Sequence, residues 1–181
     1  MKKLLYLLIL RLLFACEEDF RDMPIWDMSP VDFIIHIEDE QGFNLLDSTV
    51  EGNWYRYDFK VVFEDKSYTA DWDVGMKWVE PVESRYYLPH FYGLYTYPTY
   101  VDNTPTRIPV ALMFGEFDGE DDYDMSIIFE IPDLNQKHEM TLKRMVHHNK
   151  KDTERKVETE LILDGKPVKE GGFKIILPRR K

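Results

Sequence analysis

Apolar and polar residues alternate along much of this chain, and this two-residue period limits its fold more than any other feature. The alternating sets are Val31, Phe33, Ile35 and Ile37; Tyr57, Phe59, Val61 and Phe63; Met125, Ile127, Phe129 and Ile131; Val157, Thr159, Leu161 and Leu163; and Phe173, Ile175 and Leu177. Successive side chains of a strand point to opposite faces, so each set would line a buried face. Repeated strands of this kind predict a sandwich or barrel, and we expect an all-β fold with one antiparallel β-sandwich at residues 31–178.

The turn residues between these stretches agree with that fold. Asp164 and Gly165 separate two strand-like segments and tolerate the positive φ angles of a tight hairpin. Residues 149–152 (NKKD) indicate a second turn, and ten prolines argue against long helices. Residues 138–148 fit two interpretations, a strand or a helix, because Leu142, Met145 and Val146 would also share one helix face.

The N-terminus has the layout of a secretory signal. Lys2 and Lys3 precede an apolar run at residues 4–10 that continues, after Arg11, to Ala15. The run is too short for a membrane span, which needs about 20 apolar residues. Residues 1–15 are therefore predicted to be a signal peptide, and residues 16–30, with two prolines and no apolar period, a tether.

The only cysteine of the chain follows this run directly. Residues 13–16 (LFAC) resemble the bacterial lipobox, and the resemblance implies that Cys16 is acylated and becomes the first mature residue. Several acyl chains on one cysteine hold a protein firmly to a membrane, which a single chain does not. The alternative is an ordinary cleaved signal with an incidental cysteine.

Three acidic residues come next, Glu17, Glu18 and Asp19. They resemble the acidic tract that directs lipoproteins of the Bacteroidetes to the cell surface, and the alternative is a solvated linker. The two resemblances together imply a lipid-anchored protein of the outer membrane that is exposed at the cell surface.

The length and the charge of the chain exclude some classes of protein. A chain of 181 residues fits one domain and buries enough surface to fold without disulfides or metal. The net charge of −11 argues against nucleic-acid binding, which needs a basic surface. Residues 16–134 are strongly acidic, whereas residues 135–181 are basic. This asymmetry indicates either a binding face or, as we favour, opposite charges that meet on neighbouring strands.

Three segments carry a resemblance over most of residues 31–178. They are residues 32–47 (DFIIHIEDEQGFNLLD), residues 114–124 (FGEFDGEDDYD) and the closing hairpin at residues 160–177. They resemble segments of small uncharacterised surface lipoproteins of the Bacteroidetes. The resemblance implies a β-sandwich lipoprotein and brings no activity and no catalytic residues with it.

Signatures of catalysis and of metal binding are weak in this sequence. No Gly-x-Ser-x-Gly motif is present, and HEMTL at residues 138–142 has a leucine where a zinc protease needs its second histidine. Two acidic turns offer oxygen ligands for calcium, at residues 118–124 and at Asp71 and Asp73, but neither has EF-hand spacing. We therefore expect a non-enzyme with no cofactor and no metal; paired carboxylates of a small hydrolase are the least favoured alternative.

An aromatic stretch at residues 86–100 (YYLPHFYGLYTYPTY) is more suggestive of binding. Tyrosine has an apolar face and a polar tip, which suits it to protein interfaces and to stacking on sugar rings. The competing interpretation, which we slightly favour for the stretch itself, places Tyr95 and Tyr97 in a strand that faces the core or a neighbouring sheet. Not all seven rings fit inside, so Tyr92, Tyr95, Tyr97 and Tyr100 are candidate ligand-binding residues.

The leading hypothesis is therefore a non-catalytic binding module for a glycan or a partner protein of the cell envelope. The second hypothesis is a structural subunit that docks an envelope complex through its basic C-terminal hairpin. Residues 47–49 (DST) also resemble an acceptor for O-glycosylation in this bacterial group, which makes Ser48 and Thr49 candidate modification sites.

Overall fold

The computed structural model describes residues 31–73, 93–101, 104–148, 155–168 and 171–181. Their strands are β1 (Val31–Glu38), β2 (Lys60–Phe63), β3 (Lys66–Thr69), β4 (Leu94–Val101), β5 (Thr104–Phe117), β6 (Tyr123–Ile131), β7 (Gln136–His148), β8 (Arg155–Leu163), β9 (Lys166–Val168) and β10 (Phe173–Ile176). A 3₁₀ turn at Pro132–Leu134 links β6 to β7. Within these ranges, no helix is both long and apolar enough to cross a bilayer.

The strands form two sheets that pack face to face. The four-stranded sheet has the order β10-β1-β5-β4, and the six-stranded sheet has the order β3-β2-β6-β7-β8-β9. The predicted all-β sandwich is confirmed. One detail differs from a wholly antiparallel fold, because β10 pairs parallel to β1. β10 follows β9 of the opposite sheet, so no tight hairpin ties it to β1 and forces an antiparallel direction.

The core consists of the side chains that the alternating pattern places inward. Phe33, Ile35 and Ile37 of β1 are at most 1% exposed, and they face Ile127 and Phe129 of β6 across one hydrophobic cluster. Aromatic rings fill much of this space: Phe59 stacks on Phe129 with ring centroids 5.5 Å apart, and Phe33 stacks on Phe173 at 5.7 Å. Offset stacking adds to the stability that burial alone provides.

The second alternating set, at residues 57–63, reaches the core although only its second half lies in a strand. Tyr57 and Phe59 are buried, yet β2 begins only at Lys60. The Phe59 N–H donates to the Tyr57 carbonyl, an i to i−2 bond that closes a γ-turn and keeps these residues out of the ladder. The Tyr57 ring packs edge-on against Phe59 and Trp54, at 4.9 and 4.8 Å. Ring packing therefore holds this segment inside, together with the Ala70 N–H, which donates to the Phe59 carbonyl at 2.9 Å.

Residues 138–148 form part of β7, so the strand interpretation is confirmed. Their partners explain this choice, since β7 pairs with β6 on one side and β8 on the other. The predicted hairpin is confirmed as well. Asp164 and Gly165 connect β8 to β9 with φ angles of 49° and 75°, as a type I′ turn requires. The turn at 149–152 lies outside the described residues.

The set at 157–163 is only partly inward. Leu161 and Leu163 pack against the core, but Val157 is 37% exposed and Thr159 is exposed too. Burial of the whole set was therefore a wrong expectation for its first half. The six-stranded sheet has more strands than the sheet it packs on, so part of its edge has no opposing layer.

Opposite charges from the two halves of the sequence meet on this framework. The pairs that join the basic C-terminal segment to acidic residues nearer the N-terminus are Lys174–Glu38 (2.8 Å), Arg179–Asp39 (2.8 Å), Lys137–Glu130 (2.7 Å) and Arg155–Glu120 (3.2 Å). The favoured interpretation of the charge asymmetry is confirmed for these residues. In each of these pairs one side chain is exposed and the other is largely buried, so solvent weakens the attraction only in part.

The stacked pair of Phe59 and Phe129 offers a test of the core. Phe129→Ala should lower the free energy of unfolding by about 3–5 kcal/mol, because it leaves a cavity between the sheets. The measurement is urea unfolding followed by tryptophan fluorescence. Phe43→Ala is the matched control: its ring is 50% exposed, and its loss should cost about 1 kcal/mol or less. Similar losses for the two variants would contradict this packing.

Candidate binding face on the four-stranded sheet

The face of the four-stranded sheet that points away from the core carries an unusual mixture of side chains. Ile34 of β1, Met113 of β5 and Tyr95 of β4 lie side by side in one row across the three strands. Tyr97 lies opposite Ala111, one pleat further along β4. We call the residues of this side, Asp32, Ile34, Tyr95, Tyr97, Met113 and Glu116, the binding face; Tyr95 and Met113 are at most 9% exposed and form its floor.

A β-bulge in β5 shapes one end of the binding face. Val31 pairs with Phe117 and Asp32 pairs with Gly115, so Glu116 has no residue opposite it. Gly115 and Glu116 have φ angles of 120° and 129°, a region that non-glycine residues rarely adopt. A Cβ atom on Gly115 would lie 2.3 Å from the Phe117 ring, so this position requires glycine. The bulge turns Glu116 toward the outer face.

Two carboxyl groups and a phenol meet at this bulge. The Tyr95 hydroxyl donates to Glu116 Oε1 at 3.5 Å, and the charge of Glu116 acts on Asp32. Burial and, to a smaller extent, repulsion by Glu116 together raise the pKa of Asp32 to about 6. Asp32 Oδ1 is buried with no hydrogen-bond partner in the part of the chain that the structure describes. At about pH 6, this carboxyl is therefore close to its titration midpoint.

The predicted tyrosines differ in what they present to solvent. Tyr97 is 42% exposed, whereas Tyr95 is 7% exposed. Tyr95 therefore does not offer a ring face as the sequence suggested, and its role is to support Glu116. Tyr92 lies outside the described residues, and the structure does not describe the Tyr100 side chain. Among the candidate tyrosines whose side chains the structure describes, Tyr97 has the exposed ring that the binding hypothesis predicts.

Asp32 and Glu116 were missed as site residues by the sequence reasoning. Both residues entered the sequence analysis only as members of resembling segments, Asp32 in residues 32–47 and Glu116 in residues 114–124. One signal was available, because an isolated glycine within the strand-like run ALMFGEF indicates a bulge. The sequence contains no signal that would bring Glu116 next to Asp32, since that contact depends on strand register.

His36 lies on the same outer side of β1 but belongs to the framework. Its Nδ1 is 3.3 Å from the Val110 carbonyl oxygen, and its Nε2 is 3.0 Å from the Gly171 carbonyl oxygen. The imidazole thus links β1 to β5 and to the segment before β10. A neutral ring donates to one of these two carbonyl oxygens, and a protonated ring donates to both.

The carboxylates of the acidic turn at residues 118–124 bind other groups of the protein. Asp122 accepts a hydrogen bond from the Val146 N–H at 2.7 Å, Glu120 pairs with Arg155, and Asp118 accepts from the Glu120 N–H at 2.9 Å. Within the described ranges, no three His, Cys, Asp or Glu side chains are grouped so that they could hold a metal ion. These carboxylates thus fasten the turn to the end of the six-stranded sheet.

The second acidic turn and the histidine motif behave similarly. Asp73 pairs with Arg56 at 2.9 Å, and Asp71 accepts a hydrogen bond from the Asp73 N–H. His138 contacts Asp164 of the β8–β9 turn at 2.8 Å. Although burial raises the pKa of Asp164, hydrogen bonds from His138 and from the Glu139 N–H lower it overall. This histidine therefore stabilises the hairpin.

The remaining candidate residues fall into two groups. Ser48 and Thr49 are exposed in a loop, where Asp47 accepts hydrogen bonds from both the N–H and the hydroxyl of Thr49 at 2.8 Å. Their glycosylation stays a prediction. The lipidation and export residues, Cys16 and residues 17–19, lie outside the described residues and also stay predictions.

The raised pKa of Asp32 makes stability depend on pH. Between about pH 4 and pH 6 the folded chain holds a proton that the unfolded chain has lost, so the free energy of unfolding falls as pH rises through this range. Asp32→Asn should therefore stabilise the fold by about 1–3 kcal/mol at pH 7.5 and change little at pH 4. Urea unfolding at both pH values measures this, with the exposed Asp58→Asn as control. An equal effect at both pH values would contradict it.

Comparisons of the chain with protein-family models, curated proteins and solved structures found no match. Function is therefore inferred from the residues of the binding face.

Proposed function

We propose that this protein is a lipid-anchored lipoprotein of the bacterial outer membrane, exposed at the cell surface, whose sandwich is a non-catalytic binding module. Its ligand is a glycan, and it binds at the binding face. The observation that carries this proposal is the exposed Tyr97 ring on the same sheet face as the Asp32, Glu116 and Tyr95 cluster.

The chemistry of this face suits a sugar. An exposed tyrosine ring stacks on the apolar face of a pyranose, which supplies contact area with little loss of side-chain freedom. Carboxyl groups next to the ring hydrogen-bond to sugar hydroxyls, and a carboxyl close to its pKa both donates and accepts. The half-buried Ile34 adds apolar surface beside these polar groups. Pockets for small ligands combine such apolar surface with a few convergent polar groups.

The rigidity of the face supports the same proposal. Ile34, Met113 and Tyr95 belong to strands that are hydrogen-bonded to each other, and Glu116 is held by the bulge. A site on strands loses less conformational freedom on binding than a site on loops. The proposal therefore places most of the ligand contacts on hydrogen-bonded strands.

A hydrolase is the second candidate, because a buried carboxyl with a raised pKa beside another carboxyl is an arrangement that acid–base catalysis uses. The docking-subunit hypothesis has less support. Lys174, Lys156 and Lys137 each pair with a glutamate, so they do not form a surface of one sign. An experiment can separate the hydrolase from the binding module. A hydrolase would release reducing sugar from a glycan, whereas a binding module would leave the glycan intact.

A glycan array probed with residues 17–181 tests the binding proposal. Tyr97→Ala should weaken binding by about tenfold or more, because it removes the stacking surface, while Tyr97→Phe should retain most of it. Asp32→Asn and Glu116→Gln should also weaken it. Phe43→Ala removes an equally exposed ring elsewhere and should leave binding unchanged. The array is run with and without calcium, and loss of binding for Phe43→Ala but not for Tyr97→Ala would contradict this site.

The membrane anchor is tested separately. Cys16→Ser removes the acylated thiol, so the full chain should lose its acyl groups and leave the outer-membrane fraction. Cell fractionation with mass spectrometry of the N-terminus measures both changes. Replacing Glu17, Glu18 and Asp19 with alanine should leave the lipid in place and abolish access of protease to the protein on intact cells. An unmodified Cys16 in the wild-type protein would contradict the anchor.

A further inference from the structure

One stretch of the six-stranded sheet has a neighbouring strand on one side only. β8 pairs with β7 along its whole length, from Arg155 opposite His148 to Leu163 opposite Met140. β9 covers only Leu161–Leu163 on the other side. Among the described strands, none lies beside residues 155–160 on the side away from β7. We call residues 156–160, whose side chains are exposed, the open edge.

The register shows which backbone groups point away from the sheet. Leu163 and Lys166 close the two-residue hairpin, so their N–H and C=O groups bond to each other. The Asp164 N–H, one residue further along, bonds instead to the Glu139 carbonyl on the β7 side. Since this direction alternates along a strand, the N–H and C=O groups of Val157 and Thr159 point outward. An edge of this kind is a template for another strand.

The side chains of the open edge are exposed along its length. The side chain of Lys156 is 75% exposed and that of Glu158 46%, while Val157 between them is 37% exposed. Val157 lies next to Val146 of β7 on the face opposite these charges. A β-branched residue in the middle of an exposed edge favours strand pairing, because its side chain packs against a cross-strand neighbour.

The geometry points to a second copy of this chain as the occupant: we propose that two molecules pair antiparallel along their open edges and form a two-fold symmetric dimer. The charge order of the edge carries this choice. A positive residue, Lys156, and a negative residue, Glu158, flank Val157; they pair with each other along the strand at 2.5 Å and keep solvent-exposed sides that a second strand can reach. An antiparallel two-fold pair reverses the order in one strand, so Lys156 lies opposite Glu158 of the partner subunit at two places.

One register satisfies the constraints of the fold. With Val157 on the two-fold axis, each Val157 exchanges both backbone hydrogen bonds with its counterpart, and Lys156 lies opposite Glu158 of the partner subunit. A shift of the axis to Glu158 would place the two Glu158 side chains opposite each other, which like charges disfavour. A shift toward Lys156 would place the two Lys156 side chains opposite each other, which like charges disfavour. The dimer would extend the six-stranded sheet across both molecules.

Co-expression of two differently tagged full chains, extracted together in mild detergent, tests this dimer. The wild-type pair should co-purify. Lys156→Glu alone places Glu opposite Glu at both sites, and Glu158→Lys alone places Lys opposite Lys, so each variant should co-purify with itself at least about tenfold less. When one copy carries Lys156→Glu and the other carries Glu158→Lys, both cross-strand positions again hold opposite charges. That mixed combination should co-purify like the wild type, an outcome that loss of folding in either variant cannot produce.

Two further variants separate this interface from other contacts. Val157→Pro removes an outward N–H and should abolish co-purification, with circular dichroism to show that the sheet remains. Lys137→Glu reverses an equally exposed lysine in the β6–β7 hairpin and should have no effect. The proposal is overturned if the wild-type chains do not co-purify, if the mixed combination stays as weak as the single variants, or if the open edge instead captures a strand of another protein.

Discussion

The fold depends on the position of β1 between two hydrogen-bonded neighbours. β5 lies on one side of β1 and β10 on the other, so every side chain of β1 must point either into the core or out of the sheet. Phe33, Ile35 and Ile37 take the inner side and are almost fully buried. Because successive side chains of a strand point to opposite faces, Asp32 must then point out of the sheet. Burial of the apolar set therefore fixes the direction of the carboxyl group that titrates at an unusual pH.

The bulge at Gly115 and Glu116 connects this framework to the binding face. An extra residue in β5 breaks the regular alternation, and the Phe117 ring, which continues into the core, occupies the space that a Cβ atom on Gly115 would need. The strained backbone at Glu116 is tolerated because the strands on both sides of β5 are paired. Strain of this kind occurs at functional sites more often than elsewhere. Core packing thus holds Glu116 beside Asp32 in spite of their repulsion.

The sequence predicted the parts of this structure that depend on local pattern. The alternation located β1, β6 and the core, and the Asp164–Gly165 pair located a hairpin, because both features act within a few residues. It did not predict the parallel β10, which depends on where the chain returns after β9. It also could not separate Tyr95 from Tyr97, which share one face of β4, because their exposure depends on neighbours far away in the sequence. The Asp32–Glu116 contact joins residues 84 positions apart and follows from register alone.

The unequal sizes of the two sheets give the proposed ligand and the proposed second copy separate places to bind. The binding face belongs to the four-stranded sheet, whereas the open edge belongs to the six-stranded sheet on the other side of the core. Pairing through β8 would therefore leave Tyr97 and Glu116 uncovered, and each dimer would present two binding faces. Lipid anchors confine both molecules to one surface, where a glycan polymer that reaches both faces would be held more tightly than by either face alone.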